Sequence, residues 1–253
     1  MHGALTHGRV MPSNILDLFA IESALRAVQK NFACINTQLA VSRDAMEDAV
    51  VERMMAGYVL VDQLLDQGVD PLMMGQHRSL MELNSRVLCG TDVQVRRQSA
   101  DLIANTEKRF YEQDGGGIRD IVNWYSLHGG DTVWERAAGV YIRVLSEPQL
   151  FIEGNHRTGA LIMSFLLARE GEPPFVLTVD NATAYFDPST MIKQTRKRSF
   201  AMLVHIPHIK KKFAQLLRAQ ANPAFLLSHG RGDAPTEAAN GPTGKARTKH
   251  NRR

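Results

Sequence analysis

The stretch Gln149-Leu-Phe-Ile-Glu-Gly-Asn-His-Arg-Thr-Gly159 runs without a break into Ala160-Leu-Ile-Met-Ser-Phe-Leu-Leu-Ala168. The second half is apolar at every position but Ser164, which predicts a helix buried on all sides. At about half the ~20 residues a membrane span needs, it reads as a core helix. The first half is polar and turn-forming. An acid (Glu153), a Gly154-Asn155 turn and Arg157 meet where that helix starts. Free backbone N–H groups and the positive end of the helix dipole favour an anion there. The pattern therefore predicts a phosphate cradle on a loop between two central helices, with Glu153 placed to hold a divalent cation against the anion.

Working outward, helical periodicity dominates and strand signals are sparse, so the chain is expected to be mostly α. Apolar residues recur at helical spacing from Ile15 to Leu39, and again from Ala45 to Leu65 behind an N-cap at Ser42, with Gly68 and Pro71 as the stop. Further helices are expected at Gln76 to Leu88, Asp92 to Gln113 and Ile118 to Leu127, the last behind a Gly115-Gly116-Gly117 turn. Thr132 and Glu135 have capping-box spacing and open a helix from Val133 to Leu145, which Pro148 ends. After Pro173-Pro174, Phe175 to Val179 is the one short strand candidate, with room for a hairpin; helices then run from Ser189 to Phe200 and from His205 to Ala221. The expected organisation is an N-terminal helical segment at 1–41, a main domain at 42–228 and a basic tail at 229–253.

A chain of 253 residues with 44% hydrophobic content can bury one substantial core. Its formal charge is +4, and the segment from His229 to Arg253 alone carries that excess, so the rest of the chain balances. That tail has no aromatic or large aliphatic residue, so solvated disorder is its expected state, ahead of a nucleic-acid contact. The cluster Lys193, Arg196, Lys197, Arg198 and Lys210 to Lys212 is expected on the wet faces of amphipathic helices. Cys34 and Cys89 lie in apolar helical patterns without metal spacing and are expected as buried thiols of a reducing compartment. No long apolar leader is seen at the N-terminus, and a cytoplasmic protein without a membrane partner is the expectation. His205 and His208 flank Pro207 with no acidic or Cys ligand near them in sequence, which argues against zinc.

The run from Gln149 to Ala160 resembles the signature of the Fic (Fido-domain) family, His-x-Phe-x-(Asp/Glu)-Gly-Asn-Gly-Arg-x-x-Arg. It matches at Phe151, Glu153, Gly154, Asn155 and Arg157, and departs at Gln149 (the family's histidine), His156 (its second glycine) and Ala160 (its second arginine). The resemblance implies a Fic-type helical bundle and transfer of AMP from ATP to a Ser, Thr or Tyr hydroxyl of a target protein. Implied with it are Mg²⁺ on Glu153 and nucleotide contacts from Gly154, Asn155, His156, Arg157, Thr158 and Gly159. Phe151 is expected to anchor the loop to the core.

Gln149 and His156 are the catalytic candidates. A carboxamide has no proton affinity near neutral pH, so Gln149 can only orient a hydroxyl or water. His156 is the natural replacement base, since an unperturbed imidazole titrates near neutral pH, though the helix N-terminus disfavours its protonation; its other readings are a phosphate ligand and a steric or structural residue at the helix start. Many family members carry an inhibitory helix with (Ser/Thr)-x-x-x-Glu-(Gly/Asn); Ser42 and Glu47 come one residue too far apart to match, leaving Glu47 as the candidate. Two functions follow: a divergent nucleotidyltransferase acting on a protein hydroxyl, or a non-catalytic Fic-fold module that binds a nucleotide or a partner protein.

Overall fold

In a computed structural model, residues 15–112, 115–197, 199 and 206–227 are described. The expected tail at 229–253 and the expected helix ends at Phe200 and His205 lie outside them. Among the described residues there are ten α-helices and one short 3₁₀ turn, and no strand. They are α1 (Leu18–Gln38), α2 (Asp48–Asp66), α3 (Arg78–Cys89), α4 (Val93–Gln98), α5 (Ala100–Phe110), α6 (Ile118–Leu127), α7 (Val133–Leu145), α8 (Asn155–Arg169), α9 (Ala182–Lys193) and α10 (Ile206–Ala219). None is long and apolar enough to cross a membrane.

The apolar helix is the centre of the bundle. Twelve of the fifteen residues of α8 are buried, against α7 on one side and α2 and α3 on the others. Glycines set how closely the central helices approach. A Cβ at Gly159 would lie 2.8 Å from the Tyr141 ring, at Gly139 1.9 Å from the Trp124 ring, and at Gly57 2.3 Å from Leu161. The α7 start is capped as its sequence predicts: the Thr132 side chain accepts from the Glu135 N–H while the Glu135 carboxylate accepts from the Thr132 N–H. The ends of the described fold meet where Leu16 and Leu226 form an antiparallel bridge. Buried Asp62 accepts from the N–H groups of Ile15 and Leu16, at 2.8 and 2.9 Å. Leu16, Ile21 and Leu25 belong to the main core, so α1 packs into the same core as the helices that follow it.

Five local expectations are corrected. The helix expected behind Ser42 starts only at Asp48, because the Asn36 amide clasps the backbone of Arg43: Arg43 N–H donates to Oδ1 at 2.7 Å and Nδ2 donates to the Arg43 carbonyl at 2.9 Å. The run from Asp92 is two helices broken at Ser99; α4 buries no side chain, so no packing holds the two on one axis. Phe175 to Thr178 forms no strand and Val179 opens a turn, since side chains take the role of a neighbouring strand. Tyr58 and Ser164 donate to the Phe175 carbonyl, at 2.7 and 2.5 Å, and Asn181 Nδ2 donates to that of Val176 at 2.9 Å. The helix expected from Ser189 begins at Ala182 and runs through Pro188. Cys34 is exposed on α1, and only Cys89 is buried.

Candidate functional site

The loop between α7 and α8 is closed by its own asparagine. Asn155 Oδ1 accepts the Phe151 N–H at 2.9 Å and its Nδ2 donates to the Phe151 carbonyl at 2.8 Å, a two-point clasp that turns the chain into α8. Phe151 is buried and stacks on Phe110, the expected anchor to the core. The chain passes Gly154 at φ +76, where a Cβ would come within 3.1 Å of Asn84 Nδ2 and Leu88. From α3, Asn84 Nδ2 donates to the Glu153 carbonyl at 2.9 Å and to Thr158 Oγ1 at 3.0 Å, fixing both sides of the turn.

These bonds draw part of the expected nucleotide contacts into the loop itself. Asn155 and Thr158 are buried with their side chains spent on the loop, and Gly159 is covered by the Tyr141 ring. All three shape the turn from inside, and none of them lines the cavity into which the start of α8 opens. Gln149 is likewise committed: its Nε2 donates to the Leu145 carbonyl at 3.2 Å and its Oε1 accepts from Asn155 Nδ2 at 3.1 Å.

His156 and Arg157, in the first turn of α8, instead reach a cavity of about 360 Å³. Its wall is largely apolar, including Leu25, Phe32, Met54, Phe175 and Phe186, and Ala160 contributes only a methyl to it. Two further cations line it, Arg43 from the α1–α2 connection and Arg53 from α2, against one acid, Asp44. Arg43 Nη2 donates to Thr190 Oγ1 at 2.8 Å, its guanidinium lies over the Phe186 ring, and its Nε is buried without a partner. Arg157 Nη1 donates to the Val87 carbonyl at 3.1 Å; burial and then Arg53 lower its pKa, and Glu153 works in the opposite sense.

The His156 imidazole meets the Tyr141 hydroxyl through Nδ1 at 3.2 Å, and its backbone carbonyl accepts from Tyr185 Oη at 3.0 Å. Burial, helped by Arg43 and Lys193, pushes its pKa down to about 4. An imidazole titrating there is neutral at pH 7 and a weak base. Its Nε2 is buried and unpartnered, which leaves a neutral hydrogen-bonding nitrogen on a residue lining the cavity.

Glu153 is exposed at the outer side of the loop and does not line the cavity, though its charge reaches Arg157. Among the described residues no group of three His, Cys, Asp or Glu comes together. A lone carboxylate suits Mg²⁺ only as one protein ligand to an ion already carried by phosphates. Glu47 stands as the exposed N-cap residue of α2, and the acid that does line the cavity is Asp44.

Sequence reasoning missed Arg43, Arg53 and Asn84. Arg53 lies between Val50 and Met54, which line the same cavity, so an arginine interrupting an apolar helical face was a legible signal. Arg43 and Asn84 owe their places to partners far along the chain, and no local pattern marks them. Comparisons with protein-family models, with curated proteins and with solved structures give no match to this chain.

Proposed function

We propose that this chain is a Fic-like nucleotide-binding module whose ligand enters the cavity at the start of α8, with phosphates toward the arginines and the base against the apolar wall. The observation that carries this reading is that His156 and Arg157 share one cavity with Arg43 and Arg53, opposed by Asp44 alone. Three guanidinium groups against one carboxylate select an anion, while the aromatic and aliphatic wall selects a ligand that is apolar at its other end. The volume lies in the range of small-molecule pockets. Mg²⁺ belongs to the reading as a companion of the phosphates, with Glu153 as its one protein ligand.

Binding is favoured over transfer because neither catalytic candidate, Gln149 or His156, offers a base matched to neutral pH. Gln149 is tied into the loop, and His156 holds its proton too weakly. Transfer of a nucleotidyl group to a protein hydroxyl is the second reading, favoured by the exposed position of Glu153. Melting curves with AMP, ADP and ATP, each with and without Mg²⁺, test the proposal. The expected result is stabilisation that rises with phosphate number and that Arg157→Ala weakens about tenfold or more, the usual scale for a charge-assisted bond. No stabilisation by any nucleotide at millimolar concentration would end it.

A further inference from the structure

A second cavity, of about 380 Å³, lies behind the start of the motif loop and shares no lining residue with the first; Gly115, Gly116, Asp120, Glu147, Pro148, Arg196 and Lys197 line it. Its unusual member is Lys197, expected on a wet helix face but only 8% exposed, just beyond α9. The Lys197 ammonium donates to the carbonyls of Gly116 at 3.0 Å and Pro148 at 2.7 Å. Both acceptors are neutral, one N–H remains over, and no carboxylate pairs with the amine among the described residues. A buried charge held only by neutral partners is costly.

The surroundings add positive charge. Arg143 from α7 is paired with Asp120 of α6 at 3.0 Å. Arg109 from α5 pairs with Glu112, donates through Nε to the Gln149 carbonyl at 2.9 Å, and keeps Nη2 buried without a partner. That Nη2 stands directly behind the Gly116 turn, 2.8 Å from where a Cβ would be. With those pairs made, Arg196 and Lys197 remain against exposed Glu147. Burial, with Arg109 and Arg143, drives the Lys197 pKa down to about 7, although Asp120 and Glu147 oppose the shift.

We propose that this cavity is a second ligand site, one for a small oxyanion such as sulfate or a phosphate group, bound by Lys197 and Arg196 over the Gly116 turn. An oxyanion accepts the amine's remaining N–H and supplies the charge its neutral partners lack. Because Lys197 holds the Pro148 carbonyl and Arg109 that of Gln149, occupancy bears directly on the loop that opens into α8.

Sulfate is the probe, since its charge is constant across the working range. Binding is read from the amide shifts of Gly116 and Ile118, which report this cavity and not the one beside His156. Bound sulfate raises the lysine pKa, so at about pH 8 binding takes up close to one proton, seen as a buffer-dependent heat in calorimetry. Affinity is expected to be roughly tenfold weaker at about pH 8 than at about pH 6. Lys197→Met removes both the shifts and the proton uptake. Lys197→Arg keeps a permanent charge, so its binding persists without the uptake or the pH dependence, and it covers the case in which the methionine variant fails to fold. Arg157→Ala leaves the response intact. Wild-type protein without shifts at Gly116 at tens of millimolar sulfate, or with shifts that persist in Lys197→Met, overturns the proposal.

Discussion

The Nδ1 of His156 sits 3.2 Å from the hydroxyl of Tyr141, joining the first turn of α8 to the middle of α7, the helix against which α8 packs most extensively among the described residues. Burial pushes the Tyr141 pKa well above its ordinary value, so the phenol keeps its proton, and burial lowers that of His156 to about 4. The pair is therefore neutral at pH 7, and a proton added to the imidazole enters a site already facing Arg43 and Lys193.

Stability should respond to this between pH 6.5 and about 4. An unfolded histidine takes up a proton near 6.5, whereas the folded one resists until about 4. In that window the unfolded chain binds more protons, so the contribution is whole above pH 6.5 and is lost as pH falls toward 4. The slope is at most about 1.4 kcal/mol per pH unit for one group. Urea unfolding of wild type and His156→Gln across this range should show a difference that shrinks as pH falls. An NMR titration that finds His156 at its ordinary value would contradict the buried neutral imidazole.

Close packing at glycine gives a second expectation. Alanine is the better helix former by up to about 1 kcal/mol, yet at position 139 its methyl would meet the Trp124 ring at 1.9 Å. Overpacking of this kind typically costs about 1–3 kcal/mol. Gly139→Ala should therefore lower the urea midpoint despite its helix propensity. A midpoint equal to wild type would show that Trp124 moves aside freely.

How much of this was legible in the sequence depends on how local each cause is. The ends of α6 and α7 follow from Gly117, Thr132 and Glu135, whose effects act within one turn. The centrality of α8 follows from an apolar run with no polar face. Where the cause is a distant side chain, the sequence misled: Asn36 holding Arg43 out of α2, or Tyr58 and Ser164 taking the carbonyl a strand would have paired. The site divides the same way. The left-handed Gly154 and the cationic start of α8 are local features, whereas the inward turn of Asn155, the depressed imidazole and the arrival of Arg43 are products of packing.

Asn84 is the long-range support of the loop, and removing its amide should be felt in two places. Asn84→Ala strips the Glu153 carbonyl of a donor and leaves Thr158 Oγ1 buried without one. Unsatisfied buried groups cost about 1–3 kcal/mol, which sets the expected loss of stability. Hydrogen exchange at the amides from Gly154 to Arg157 should quicken more than at the centre of α8. Uniform acceleration along the helix would mean that Asn84 serves global stability and not the turn.

The metal and the missing base can be tested together. Glu153 is one exposed carboxylate, so Mg²⁺ should strengthen ATP binding only by bridging that side chain to the phosphates. Glu153→Gln is then expected to erase the Mg²⁺-dependent part of ATP stabilisation while preserving the metal-free part, and Arg157→Ala to weaken both. With Gln149 bonded to Leu145 and Asn155, and His156 titrating near 4, neither α- nor γ-labelled ATP should leave label on the protein or on lysate targets. The two labels separate AMP transfer from phosphate transfer. Label transfer by wild type that both Glu153→Gln and His156→Ala abolish would replace the binding module with a working transferase, because metal and base would then act where the loop places them.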